Sequence, residues 1–462
     1  FFDDIIAAIV LLIIYFGTNF YSYTAFSAEM PHNYLFTLYV LIIWLTIRWH
    51  KTFSIKHLSL LAVCVGIATL ARPTELISIL IPLLWGCHDK LSCGRKVQLL
   101  ISKRKQILVF VSILLSIGLI QIIYWKIFSG KFIYYSYKNP GEGFEFLWPY
   151  TLKTLFSFRK GWFVYTPIMI FAVVGFIPTF RKNKKVFFTL FSFFIINLWI
   201  VSSWSCWWYA QSMGQRALVQ SYAVMAIPLG YFVSSIANRA LWLKISLTLV
   251  MLFFIILNLF QAWQLRNNIL SGDRMTFEYY IKSFGKTKIN KADRKLLLIN
   301  RFFGGLKETM TNENGLTKKI VYTNSFEKTN HAHQSNRYKH SGNYSLVMDS
   351  SISYSPGYTE KYKDITDKDY AWIRASIWVY PVHETKWVKG SFVVTFSHGG
   401  KAYKYRTIDL NMADLTLHEW NKLTLDYLTP EVRSPNDELK VYIWNRGKKE
   451  IYFDDLEVIT FD

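Results

Sequence analysis

Nine apolar runs crowd the first 263 residues, and they leave this chain few ways to fold. They lie near 5–20, 33–48, 57–71, 75–88, 107–125, 162–180, 186–204, 217–236 and 243–263. A helix needs about 20 apolar residues to cross a bilayer, and hydrocarbon obliges every peptide group to bond within the chain. The runs therefore predict a polytopic α-helical membrane domain of about nine spans. The third and fourth are short, as expected of helices that meet at a break, here Pro73.

The rest of the chain is different. Of the residues, 52% are hydrophobic and 18% aromatic, yet mean hydropathy is only +0.18. The last third lowers that average, because it alternates polar and aromatic residues. From about residue 321 the period is two, and candidate strands fall at 343–349, 370–381, 389–398, 401–410, 419–428, 438–445 and 450–461. Gly, Pro, Asn and Asp separate them, and no helical period intervenes. An all-β antiparallel sandwich over 321–462, jelly-roll-like, is the expectation. Residues 264–320 read as a connector with an interfacial helix at Asp273–Tyr280, a basic stretch from Lys286 to Lys295, and Gly304–Gly305.

The formal net charge of +22 raises the question of nucleic acid. The basic residues instead cluster in short loops between apolar runs, the pattern of cytoplasmic loops facing anionic lipid. Loops 49–56, 89–106, 181–185 and 237–244 carry the clusters, whereas 17–32 has none and two others hold a lone arginine, Arg72 or Arg216. The long loop 126–161 breaks the parity. On this count the bilayer is the partner, nucleic acid is not, and the C-terminal third is exported. Cys64, Cys87, Cys93 and Cys206 all fall in the membrane part without zinc-site spacing. The chain opens Phe1–Phe2–Asp3–Asp4 with a span starting almost at once, so upstream segments are expected.

Chemistry is expected where unusual residues gather between spans. Arg72–Pro73–Thr74–Glu75 sets a charge beside hydrocarbon, which costs roughly 2.5–3.5 kcal/mol at a span centre. It reads as a phosphate clamp, or as a salt bridge fixing a helix break. Glu29 and His32, three residues apart in sequence, suit a shared divalent metal or proton, or simply a helix start capped near Pro31. Arg159–Lys160–Gly161–Trp162 and Trp207–Trp208 through Gly214–Gln215–Arg216 combine cations for phosphate with aromatic faces for sugar; an aromatic interface belt is the alternative. In the sandwich, Trp372, Arg374, Trp378 and Tyr380 share one face of strand 370–381, opposite Ile373, Ala375, Ile377 and Val379. That face suits a sugar ring, or packing against a loop. Glu327, Asp454 and Asp455 offer calcium oxygens, or are solvated turn carboxylates.

The membrane part resembles a bacterial GT-C glycosyltransferase, the polyprenyl-phosphate-sugar-dependent class related to protein mannosyltransferases and aminoarabinose transferases. The resemblance covers about residues 1–285. It rests on Ala71–Arg72–Pro73–Thr74–Glu75, Arg159–Lys160–Gly161–Trp162–Phe163 with Thr166–Pro167, Trp207–Trp208 with Gly214–Gln215–Arg216, the Phe26–Glu29–His32 loop, and Asp273–Met275–Thr276. It implies an enzyme of the inner membrane that passes a sugar from a lipid-phosphate carrier, with inversion, to a glycan, lipid or protein acceptor. It also implies that a carboxylate of the first extracytoplasmic loop deprotonates the acceptor and that cations stabilise the departing phosphate. Arg72, Glu75, Arg159, Lys160, Trp207, Trp208 and Arg216 would hold lipid phosphate and substrate. The base is expected upstream of Phe1, with Glu29 as substitute candidate. The sandwich resembles carbohydrate-binding jelly rolls through Asn324–Ser325–Phe326–Glu327, His340–Ser341–Gly342–Asn343–Tyr344 and Ile451–Tyr452–Phe453–Asp454–Asp455. A non-catalytic scaffold presenting that sandwich is the rival reading, as is a lipid-linked glycan transporter; against the latter, no inverted repeat is visible.

Overall fold

The computed structural model describes residues 1–134, 143–237, 239–299, 309–328, 333–384, 386 and 388–462. Of the sequence expectations, Lys138 of the long basic loop and Gly304–Gly305 of the connector lie outside the described residues. The chain forms two compact units, one running to Leu298 and the other continuing from Ile299.

The first unit is helical. Four helices are long and apolar enough to cross a membrane: Arg104–Ser129, Lys184–Ser202, Arg216–Ile236 (whose first turns are 3-10) and Leu241–Arg266. Asp4–Gly17 and Ile55–Ala71 are apolar but shorter, and His32–Thr52 has the length but ends on Arg48, His50 and Lys51. Local chemistry sets the ends. Asp3 caps the first helix by accepting from Ile6 N at 2.8 Å, and Gly130 closes Arg104–Ser129 in the left-handed conformation.

Two expected spans are broken. The run 75–88 becomes a 3-10 stretch, Pro73–Ile79, then a single turn at Leu80–Leu84. The run 162–180 becomes Trp162–Tyr165, Met169–Val174 and Phe176–Lys182. Pro167 interrupts the second run. At Gly175, whose missing Cβ would sit 2.1 Å from the Pro228 carbonyl oxygen, two backbones approach as only glycine permits. The helix Phe277–Ser283, shorter than expected, buries Tyr279 and Tyr280 against Tyr165 and Leu270 rather than presenting a free aromatic face.

The second unit is an antiparallel β-sandwich. Its strands are β1 (Lys318–Asn324), β2 (Gln334–Ser335), β3 (Ser345–Met348), β4 (Tyr358–Lys361), β5 (Trp372–Pro381), β6 (Gly390–His398), β7 (Lys401–Asp409), β8 (Asn421–Leu428), β9 (Glu438–Asn445) and β10 (Ile451–Phe461). One sheet has the order β2-β3-β10-β5-β8, with β1 also on β10; the other is β4-β9-β6-β7. A bulge between Asp454 and Glu457 lets β10 serve β3 with its first half and β1 with its second, along one edge. Alternation decides what is inside: Ile373, Ala375, Ile377 and Val379 of β5 face Phe392, Val394 and Phe396 of β6 and Leu439, Val441 and Ile443 of β9 across the core. The expected strands are all present; β1, β2 and β4 are additional.

Candidate functional site

The first unit gathers its unusual residues where loops interlock. Arg72 ends helix Ile55–Ala71 in extended backbone, and Pro73 opens the 3-10 turn that carries Glu75. Glu75 is only 2% exposed. It accepts from Tyr39 Oη at 2.8 Å and Gln220 Nε2 at 2.9 Å, while Arg72 Nη1 stands 3.8 Å away. Gln220 in turn meets His32 Nδ1 at 3.0 Å. So enclosed, the carboxylate is placed to anchor Arg72. The Arg72 Nη1 atom itself is buried without a hydrogen-bond partner.

Arg216 comes to the same place from 144 positions later in the chain. It starts the 3-10 turn Arg216–Ser221 that carries Gln220. The charges of both Arg72 and Arg216 act on His32 and on Tyr209. Both guanidinium side chains are half-buried. The loop leading to Arg216 is contorted: Tyr209, Ala210 and Gly214 have φ of 52°, 53° and 54°. Left-handed backbone at two non-glycine residues is costly and concentrates at functional sites. The first loop grips this one, with Asn19 Nδ2 donating to Met213 O at 2.9 Å, while Asn19 Oδ1 accepts from Tyr222 Oη, on the following helix, at 2.7 Å.

Arg159 and Lys160, from the loop before Trp162, form a second group with Trp208 of the loop that leads to Arg216. Arg159 lies over the Trp208 ring at 4.0 Å and donates to Asp273 O at 2.6 Å. Lys160 is 1% exposed and donates to Ser212 O and to Ser212 Oγ. Burial first, then the Arg159 charge, push its ammonium well below the ordinary lysine range. Lys160 therefore staples two loops together and is no open phosphate ligand. Trp207 is buried, and its carbonyl accepts from Gln215; of the pair only Trp208 is partly accessible.

The metal expectations do not assemble. Among the described residues no three His, Cys, Asp or Glu side chains are grouped for an ion. His32 is buried on Gln220 whereas Glu29 is exposed. Glu327, Asp454 and Asp455 do surround one loop, but as acceptors for it. Glu327 takes Asn343 N and Tyr344 N at 2.8 and 2.9 Å, Asp454 takes His340 N and Ser341 N, and Asp455 takes Ser341 Oγ and pairs with His340 Nδ1 at 2.7 Å.

That loop also covers the expected sugar face. The His340 ring stacks on Trp378 at 3.9 Å and Tyr338 on Tyr380 at 4.4 Å, with Trp420 beside both. Arg374 holds Asp426 through two nitrogens, at 2.7 and 3.1 Å, and also pairs with Glu313. Among the described residues, Trp372 alone of the four has no such partner. The open aromatic strip is on the other sheet. Tyr442 and Trp444 project outward from β9, Tyr354 lies parallel to Trp444 at 6.3 Å, and Arg446 sits over Trp444 at 4.5 Å while bonding Ser391 Oγ at 2.7 Å. Tyr354 is 58% exposed and Trp444 37%. Outward alternation in Val441–Tyr442–Ile443–Trp444 signals it in the sequence. Trp378→Ala should lower sandwich stability by about 1–3 kcal/mol because stacked ring contacts are lost. Trp444→Ala should leave the melting temperature within a degree or so, as surface changes generally do. Thermal melts of both variants check the contrast.

A scan of known protein families finds no match to this chain, and a search of curated proteins finds none. Solved structures similar to it include a family 16 carbohydrate-binding module, with 11% identity and a TM-score of 0.20 over 27% of this chain and 82% of that one. Another is the C-terminal family 22 carbohydrate-binding module of Clostridium thermocellum, with 14% identity and a TM-score of 0.21 over 30% and 91%.

Proposed function

We propose that the chain is an integral membrane glycosyltransferase of GT-C type, using a polyprenyl-phosphate-linked sugar, with a sandwich that holds glycan. One observation carries this reading: Arg72 and Arg216, far apart in sequence, share a neighbourhood anchored by the buried Glu75–Gln220–His32–Tyr39 network among apolar helices. Burying such a network is expensive unless it positions something. Two arginine forks suit the phosphate that leaves when the sugar's anomeric carbon is attacked. Glu29 is exposed and open to an acceptor, unlike Glu75, but no residue is assigned as base. The nine-span topology belongs to this proposal, as does an inner-membrane location with loops 49–56, 89–106, 181–185 and 237–244 in the cytoplasm and the sandwich outside. Covalent attachment of the sandwich raises local glycan concentration without a catalytic contact.

Two experiments test the reading. Purified chain in dodecyl maltoside should bind a polyprenyl phosphate saturably, and absence of binding would remove the donor class. Single cysteines placed at Lys184 and at Ser434, in a background without the native ones, should label from opposite sides of sealed vesicles. Labelling from one side would invert the topology on which the assignment depends.

A further inference from the structure

A cavity of about 400 Å³ lies in the first unit beside the loop that leads to Arg216. Three arginines line it: Arg266 at the end of helix Leu241–Arg266, Arg274 ahead of the next helix, and Arg294 in the 3-10 turn Lys291–Leu296. None was singled out by sequence, since each looks like an ordinary loop or terminal charge. Among the described residues, no aspartate or glutamate lines the space. Its polar wall is otherwise neutral, with Ser22, Ser27, Ser212 and Ser271 hydroxyls and the Tyr23 phenol, and Phe26, Met30 and Leu265 are on the apolar side.

The arginines are held in place by backbone rather than by carboxylates. Arg274 Nε donates to Leu298 O at 2.6 Å and Arg294 Nη2 to Asn268 O at 3.0 Å, while Arg266 stands over Phe26 at 4.9 Å. The nearby carboxylates turn elsewhere: Asp273 accepts from Ser271 Oγ at 3.2 Å and Asp293 pairs with Lys282 at 3.9 Å. Three like charges around one confined space repel, and an anion relieves the repulsion. Guanidinium forks fit phosphate oxygens, and the volume is that of an ordinary small-ligand site. The Ser22, Tyr23 and Ser271 hydroxyls already donate within the protein, to Met213 Sδ, Met213 O and Asp273, so the arginines carry the site.

We propose that this cavity binds a phosphate group at Arg266, Arg274 and Arg294, as a site separate from the Arg72–Arg216 pair. The inference goes beyond the transferase reading and stands if that reading fails. Its source is either a lipid headgroup, whose chain would use the Phe26–Met30–Leu265 wall, or a free phosphate compound.

The test uses the R72A/R216A chain as parent, purified in dodecyl maltoside, which carries no phosphate. Titration calorimetry with inorganic pyrophosphate should show one saturable site. Adding R266Q and R294Q, both exposed and away from the core, should weaken that site at least tenfold, and R266K with R294K should recover part of it. Farnesyl phosphate binding at least tenfold tighter than pyrophosphate would support the headgroup; equal affinity would support the free compound. No saturable binding in the parent, or binding indifferent to R266Q/R294Q, overturns the proposal. Comparison of wild type with parent reports separately on Arg72 and Arg216.

Discussion

Asp437→Ala should unfold the sandwich at a temperature lower by on the order of 10 °C. Asp437 is 1% exposed, and four groups converge on it: Tyr403 Oη at 2.8 Å, His398 Nδ1 at 2.5 Å, and the backbone nitrogens of Arg433 and Ser434 at 2.8 and 3.2 Å. It ties β6, β7 and the turn before β9 to one carboxylate. Removing it takes the acceptor from a buried phenol and the Asp437 bonds from two part-buried backbone N–H groups, and an unsatisfied buried group costs about 1–3 kcal/mol. The phenol is held far above the ordinary tyrosine range, by burial first and then by the Asp437 charge. A total of about 3–5 kcal/mol corresponds to a shift of that order for a unit of this size. Asp437→Asn keeps the shape and one acceptor and should lose about half as much. Differential scanning calorimetry of the full chain measures both, and an unchanged sandwich transition in Asp437→Ala would contradict the packing described.

Arg72→Ala and Arg216→Ala should each reduce the proposed sugar transfer at least a hundredfold, about 2.7 kcal/mol of barrier. The reduction follows from what each arginine would supply. Charge grows on the carrier phosphate as the glycosidic bond breaks, so lost cations raise the transition state more than the bound state. The effect should therefore appear in kcat, with KM moving less. Lysine at either position keeps charge but loses the fork and should recover only part of the rate. Glu75→Gln is the informative companion. It leaves both cations in place, loosens the anchor of Arg72, and should cost less than Arg72→Ala. Equal rates in wild type and both alanine variants would end the shared-site account.

What could be read from the sequence was local. Pro73 after Arg72 marked the helix break. The alternation Ile373, Ala375, Ile377 and Val379 marked a core face, and all four are fully buried. What could not be read depends on contacts between distant segments. Gln220 reaches Glu75 across 145 positions and His32 across 188, and no periodicity encodes such a pairing. The outward face of β5 looked like a sugar platform because its aromatics are legible, whereas the loop that brings His340 onto Trp378 is not. Lys160 was read by its charge, and charge does not report burial; Ser212 takes that ammonium into the interior. The arginines of the cavity illustrate the reverse case, ordinary in sequence and distinctive only once Arg266, Arg274 and Arg294 surround one space.

Transfer itself is the most direct test of the transferase account. The protein reconstituted in liposomes would be given polyprenyl-phosphate-linked hexoses and pentoses labelled in the sugar, together with extracted envelope lipids and glycans as acceptors. The account predicts that label leaves one carrier and appears on an acceptor with inverted anomeric configuration, and that R72A/R216A reduces this to background. A wild-type protein that binds the carriers saturably yet consumes none of them would contradict it, and would make the chain a carrier-binding scaffold.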